Sequence, residues 1–516
     1  MLSPEYLAGC ADGILKLYRQ LEDDIVRDMV RRLVSTDWQM TQSAVWQMEK
    51  AQELGLHVYD DIVRRLAQIT GKSTQELKEL FDDGGTETLR YDDRIYKQAG
   101  LNPLPVKQSP GMLQVLTAGY KKCGQTLKNL TLTTASEAQQ LFITSCNRAY
   151  MQVSSGAFDY NTAIRKAVEA FGSSGATVRY PTGHRDKIDV AVRRAVMTGV
   201  SQTCGQLQEM RLDEMDCDLV ETTAHMGARL SHSYWQGQVF SRSGKHRKYP
   251  DFVASTGYGS GEGLMGWNCR HGFYPFFEGL SERAYSKEML TEWQQHTVSY
   301  NGKTYTDYKA SQKQRELERS IRDTKRTLLG IEEGKREADD ELRRGLEEDF
   351  AAKSVKLKKQ EQALADFLKQ TGREEERARV QAAGFGRGIA QRAVQANKKE
   401  LLKQRERDII KEIKKCGIQG DIHLEPRNID ISSLGFDSKH INKERSRDIT
   451  MEDAKSFIAS AKISSTVWNG KFERYYSENG AAYVNVQDKL IRTAYARENF
   501  GKDVLDMLEV LEKYGR

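Results

Sequence analysis

The chain has 516 residues, 38% hydrophobic and 29% charged, with 79 basic and 73 acidic side chains for a net charge of +6. That length admits about two to four domains, and so polar a composition asks for solvated helix beside packed core. Seven scattered cysteines without a CxxC pair argue against a disulfide framework and for a reducing cytosol. No apolar run reaches the ~20 residues of a membrane-spanning helix. The N-terminus meets acidic residues too early for a cleaved signal peptide, so any export would take another route. The slight basic excess gives no argument for nucleic-acid binding by itself.

Helical scaffold is expected over residues 1–172. Leu15, Leu17, Leu21, Ile25, Met29 and Leu33 recur near the helical period, and Ser3-Pro4 has the form of a cap followed by a first-turn proline. "TGKSTQELKELF" predicts a new helix capped by Ser73 or Thr74. Further helices are expected at Gly111–Leu130, Ala135–Ser154 and Tyr160–Ala170. Near Gly172 the composition changes, and residues 173–290 read as a mixed α+β module. It has a strand at Thr177–Tyr180, a helix from Ile188 to about Leu212, a strand at Leu219–Thr223 and a glycine- and aromatic-rich block from His225 to Gly279.

Residues 308–382 carry a narrow apolar stripe (Leu317, Ile321, Thr324, Leu328, Ile331, Ala338, Leu342) on a charged rod, which predicts a helical hairpin or coiled coil. Its charges read as a solvated face with i,i+4 pairs, and Gly330, Gly334 and Gly345 as local weak points. "AAGFGRGIAQRAV" is not a phosphate loop, because no strand precedes it. The 383–416 stretch reads as a basic helical linker. Residues 417–516 form a last α+β domain, with a helix capped by Thr450 and Asp453 followed by "STVWNGKFERYYS", "AAYVNVQD" and "LIRTAYA" as three strand-like runs. The fold class is therefore multidomain α+β with a helical N-terminal half.

The block "GLMGWNCRHGFYPFFEG" (263–279) poses the first functional question. His225, His232, Cys269 and His271 could supply four N/S ligands to zinc. CxH is not a usual finger spacing, however, and His246 intervenes, so a packed polar knot without metal is the default. A Cys269–His271 nucleophile pair is geometrically allowed but lacks an oxyanion hole. The runs "TTAHMGARLSHSYWQGQVFSRSG" and "YPDFVASTGYGSGEGLMGWNCRHGFYPFFEG" resemble the phage minor capsid protein 2 family, related to Mu-type head-morphogenesis proteins. Its signature is carried here by His225, Ala228, Arg229, His232, Trp235, Gln236, Gly237, Thr256–Gly259 and Gly266–His271. The resemblance covers about residues 1–290. It implies a low-copy head component near the portal, partnered by portal and capsid proteins, in the virion head and in the host cytoplasm during assembly and after injection with the DNA. Related proteins often carry a second cysteine just before GWNCRH, close to where Met265 stands here, which weighs against a metal. An interface built on Trp and Arg anchors fits such a role.

In the last domain, His440 lies beside Lys443, Arg445 and Arg447, while Tyr475, Tyr476, Arg492, Thr493 and Tyr495 fall on expected strands. Metal-free RNA cleavage needs a proton-transfer group and a cation for the phosphorane. Histidine, arginine and stacking aromatics supply those parts. A lone histidine among basic residues is more often a surface feature. The stretch Phe436–Tyr514 resembles the polymorphic-toxin type 50 family of the barnase–EndoU–colicin–RelE-like nuclease group. The resemblance implies a ribonuclease without cofactor or metal, with RNA as substrate and an immunity protein as a further partner. It carries over His440 and Arg445 as acid/base and phosphate-binding residues, with Thr493, Tyr495 and, more weakly, Tyr476 as contacts. The combined expectation is a head protein bearing a nuclease effector behind a helical spacer. The alternative is a purely structural virion protein whose C-terminal domain is a non-catalytic binding module.

Overall fold

Ser3 accepts the Tyr6 N–H and Pro4 opens the first helix, α1 (Pro4–Gly9), followed by α2 (Asp12–Ser35), α3 (Ala44–Gln98), α4 (Pro110–Ser154) and α5 (Tyr160–Ser174). These coordinates are a computed structural model that describes residues 1–38 and 42–516. The chain divides into two units, 1–396 and 397–516, each with its own apolar core.

Two helices run further than the sequence suggests. Ser73 and Thr74 do not start a helix; they lie inside α3, with hydroxyls donating to the Thr70 carbonyl at 3.2 and 2.7 Å. α4 likewise continues through the threonine-rich gap after Leu130, because Thr131 and Thr134 donate to Leu127 and Leu130 carbonyls, each at 2.9 Å. Hydroxyls that could have capped a turn are spent along the helix instead.

The mixed module holds a hairpin of β1 (Thr177–Arg179) and β2 (Arg185–Lys187), then α6 (Ile188–Glu214), β3 (Leu219–Thr222), α7 (Leu230–Ser233), β4 (Val239–Ser241), α8 (Phe252–Thr256) and β5 (Phe273–Pro275). β3 is the central strand of a sheet ordered β4-β3-β5, antiparallel on both sides. Next come α9 (Lys287–Gln295), the hairpin β6 (Thr297–Tyr300) and β7 (Lys303–Thr306), and two long helices, α10 (Asp307–Glu337) and α11 (Asp340–Thr371).

α10 and α11 form the expected hairpin, but it is no solvated rod. Ile321, Leu328, Leu329, Ile331, Leu342, Leu346 and Phe350 join the same core as α2, α5 and α6. Several of its charges are buried too, against the expectation of a solvated face. Arg326, 2% exposed, pairs with Glu22 and, at 3.3 Å, with Asp23 of α2. Arg322 pairs with Asp189 of α6 at 2.7 Å. The glycines mark close approach rather than weakness. Gly330 faces Val26 and Val30 of α2, and a Cβ on Gly172 of α5 would fall 2.4 Å from the Thr327 Cα.

The basic segment is one helix, α12 (Arg387–Lys415). Ile389 and Ala393 belong to the first core, Ile409 and Ile413 to the second. Its second half is therefore part of the C-terminal unit's packing, not a bare linker. That unit adds β8 (Asp421–His423), β9 (Gly435–Phe436), α13 (Met451–Ala459), β10 (Ile463–Val467), β11 (Phe472–Tyr476), β12 (Gly480–Asn485), β13 (Leu490–Ala496) and α14 (Lys502–Lys513). The sheet order is β8-β10-β11-β12-β13-β9, antiparallel except for the β13–β9 pair. Tyr476, Ala481 and Tyr495 face α12 and α14; Tyr475, Ala482, Val484 and Ala494 face α13. "STVWNGKFERYYS" is not one strand: Trp468, Asn469 and Gly470 all have positive φ and turn it into the β10–β11 hairpin. Asn-Gly is the residue pair such a turn favours.

Candidate functional site

The block around GWNCRH is a set of tight turns pinned to β3. Gly263 sits against the Gly257 backbone, where a Cβ would lie 2.0 Å from the Gly257 oxygen, so a side chain is excluded there. Met265 and Asn268 take left-handed backbone angles of +58° and +56°, a conformation that costs energy for non-glycine residues. These bends bring Cys269 and His271 under α7. Thr222 donates to the Trp235 carbonyl at 2.9 Å and Thr223 accepts from Gly272 N–H at 2.8 Å, fixing both sides of the block to β3.

Three ligand-type atoms converge there. Cys269 Sγ lies 3.5 Å from His271 Nδ1 and 3.7 Å from His232 Nδ1, and the two Nδ1 atoms are 3.4 Å apart. All three residues are buried. The far sides of the rings are committed: His232 Nε2 donates to the Glu262 carbonyl at 2.8 Å, and His271 Nε2 donates to Gln236 Oε1 at 3.0 Å. Gln236 Oε1 also accepts the His225 N–H at 3.2 Å, which fixes the amide's orientation. Burial, followed by the neighbouring His225 and His232, holds the His271 imidazole well below its ordinary range. His232 is lowered chiefly by burial and the Cys269 thiol is raised by it. His225 stacks on His271 with centroids 4.4 Å apart and is pushed down to about 4, by burial first and Arg270 next. His246 lies apart, tilted against Tyr249 and 3.7 Å from Glu278.

Most of the motif is thus interior, where the sequence suggested a rigid surface. Trp235, Gln236, His232 and His271 are buried. The outward face is carried by Leu230 (66% exposed), Tyr234 (65%) and Trp267 (57%). Beside the knot lies a cavity of about 460 Å³ whose lining includes Arg193, Arg229, Arg270, Arg315 and Arg379. Arg315 is pushed down to about 10 by burial and then by Arg379, Arg193 and Arg270.

In the C-terminal unit, Thr493 and Tyr495 lie on β13, His440 on the turn that contacts it, and Tyr476 two strands away on β11. Asp437 N–H donates to the Ile491 carbonyl at 3.1 Å and the Asp437 carboxylate pairs with Arg492. A single π-helical turn, Lys439–Glu444, follows. His440 N–H donates to Asp437 Oδ1 at 3.1 Å and its Nδ1 meets Glu444 Oε2 at 2.8 Å. Arg445 is exposed at the end of that turn. Arg447 then returns to β13, donating to the Ala494 carbonyl at 3.0 Å and lying over the Tyr495 ring. Thr493 and Tyr495 share one face of β13, and Tyr476 lies on the same face two strands away. Tyr476 and Tyr495 are buried against α12 and α14, joined through Tyr483, whose hydroxyl is 2.7 Å from that of Tyr495. Among the described residues no hydrogen bond joins His440 or Arg445 to Thr493 or to the tyrosines.

A second polar cluster, not anticipated from the sequence, occupies the opposite edge. Buried Glu473 accepts from Ser464 at 2.5 Å and Thr466 at 2.6 Å, and His423 Nε2 lies 2.8 Å from Thr466 Oγ1. Arg427 stands 3.7 Å from Glu473. The hydrogen-bond chain His423–Thr466–Glu473 runs from a half-buried imidazole to a buried carboxylate. The Asn-Gly turn was the signal that could have placed Glu473 opposite Thr466.

Comparison with known proteins bears on the first unit. Residues 2–369 match the family described as phage minor capsid protein 2. The chain belongs to that family. A structural protein of Lactococcus phage LL-H is 23% identical over 274 residues, which is 50% of this chain and 72% of that protein. No solved structure matches significantly. In this minor capsid protein the family match includes the α10–α11 hairpin, further than the 1–290 expected, and ends before α12. Among the described residues no helix is long and apolar enough to cross a membrane.

Proposed function

We propose that this minor capsid protein sits in the phage head next to the portal and that its C-terminal unit cleaves RNA without a metal. The head placement rests on family membership and on the exposed Leu230, Tyr234 and Trp267 beside the knot, large apolar groups of the kind that anchor protein interfaces. Portal and capsid proteins are the partners that fit this reading. The cleavage reading rests on one observation above others: His440 is oriented by Glu444, beside guanidinium groups on a strand edge. With Nδ1–H donated to Glu444, Nε2 is left to move the ribose 2′-OH proton, the logic of an oriented catalytic imidazole. Arg445 meets the charge that builds on the phosphate, Thr493 contacts the nucleotide along β13, and buried Tyr495 supports that strand from beneath Arg447. Tyr476 supports Tyr495 through Tyr483 rather than touching substrate. No group of three metal-type ligands converges in this unit among the described residues. An immunity protein would cover the β13 edge.

Full-length protein incubated with bulk RNA and chelator tests this directly. Cleavage is expected for the unaltered chain, with a loss of at least ~10²-fold in His440→Ala. Equal cleavage by both, or none by either, overturns the assignment. The Glu473–Thr466–His423 chain supports a second reading, in which the centre lies on the opposite edge; loss in His423→Ala with full activity in His440→Ala would establish it. Particle fractionation tests the head placement, which fails if purified virions lack the protein.

A further inference from the structure

The convergence of His232, Cys269 and His271 is difficult to explain as hydrogen bonding alone. Both imidazoles carry their proton on Nε2, because each Nε2 faces an acceptor oxygen. Both Nδ1 lone pairs therefore point into the same space, 3.4 Å apart, where the thiol offers a single proton between them. One buried lone pair always lacks a donor, at a cost of about 1–3 kcal/mol. A cation removes the conflict. Zinc–nitrogen bonds of 2.0–2.1 Å and zinc–sulfur bonds of 2.3 Å in a tetrahedron give edges of about 3.3 Å for N–N and about 3.6 Å for S–N. The observed edges are 3.4 Å for N–N and 3.5 and 3.7 Å for S–N.

We propose that His232 Nδ1, His271 Nδ1 and Cys269 Sγ bind one zinc-class divalent cation, whose fourth position opens towards the arginine-lined cavity. The surroundings are those of a metal site. The outer nitrogens of both histidines donate to a carbonyl and an amide oxygen, the outer-shell pattern that orients ligating imidazoles. The His271 N–H donates to Sγ at 3.4 Å, which favours a thiolate. Binding releases the Cys269 thiol proton to solvent, and the thiolate and two neutral imidazoles leave one net positive charge on the site. Met265 does not complete the set, since its thioether packs against Gly205 of α6. His232, Cys269 and His271 all line the cavity with Arg193, Arg229 and Arg270, so the fourth ligand is a water or an anionic oxygen held by those guanidinium groups. The N₂S donor set selects zinc or cobalt over magnesium or calcium.

The full-length chain, produced with zinc supplied, is expected to hold about one zinc per chain by elemental analysis. The metal-free chain titrated with Co²⁺ should show a thiolate-to-cobalt charge-transfer band. Cys269→Ser should abolish that band and His271→Ala should reduce zinc content at least ~10-fold. Cys217→Ser, a buried cysteine outside the cluster, should leave both readouts intact. No zinc in the unaltered chain together with no cobalt–thiolate band overturns the proposal, whatever the variants do. A band that survives Cys269→Ser but disappears in Cys217→Ser overturns it as well. RNA cleavage in chelator is a separate readout, so failure of either reading leaves the other standing.

Discussion

Residues 1–396 and 397–516 treat polar side chains in opposite ways. In the first unit, charges are drawn inward and neutralised: Arg326 lies among Glu22, Asp23 and Asp323, and Arg322 meets Asp189. Such pairs hold helices in register, since an arginine buried between two helices has nowhere else to go. In the second unit the polar groups collect at the two edges of a sheet, with His440 and Arg445 at one and His423 and Arg427 at the other. Edges are where a sheet still has groups to offer. The contrast separates a helical core whose charges are consumed by its own packing, the knot and its arginine-lined cavity apart, from a sheet whose polar groups remain at its edges.

That contrast can be broken most decisively at Arg326. Arg326→Ala strands Glu22 and Asp23 in the core, and a loss of about 3–5 kcal/mol in denaturant unfolding of the first unit is expected. A loss below ~1 kcal/mol would mean the ion pairs are not buried in solution. Gly172→Ala drives a methyl group into the Thr327 backbone, with an expected cost of about 1–3 kcal/mol by the same measurement. In the second unit, Thr450→Ala removes a capping box in which Thr450 and Asp453 satisfy each other's backbone N–H. About 1 kcal/mol should be lost from the unfolding of that unit alone. The smallest effect is expected at Lys313, whose partner Glu316 is on the exposed side of α10. Lys313→Ala should change stability by under ~0.5 kcal/mol, which sharpens the comparison with Arg326 thirteen positions along the same helix.

Local chemistry made part of this legible in advance. The Thr450–Asp453 pattern marks α13, and "LIRTAYA" coincides with β13 because its β-branched and aromatic residues suit a strand. Hydroxyl-rich stretches misled, since Ser73, Thr131 and Thr134 can either cap a helix or bond back along it, and only long-range packing decides. The hairpin's charges misled for the same reason. Nothing local to Arg326 says that Glu22, some three hundred residues earlier, will lie against it. At the knot, the sequence supplied His232, Cys269 and His271 but not their geometry. The left-handed angles at Met265 and Asn268 that aim them together depend on contacts with Gly257 and Gly261. In the C-terminal unit, reading through the Asn-Gly turn hid the hairpin, and with it the Glu473 cluster.

The seating of the α10–α11 hairpin has a practical consequence for anyone who would replace the C-terminal unit that follows it. A graft that trims residues 307–371 as dispensable tether would take Arg326 away from Glu22 and peel Ile321, Leu328 and Leu346 out of the core they share with α2 and α5. The first unit would lose its own packing, whatever followed it. A splice placed within α12, after Ala396 and before Ile409, leaves both hydrophobic interiors whole.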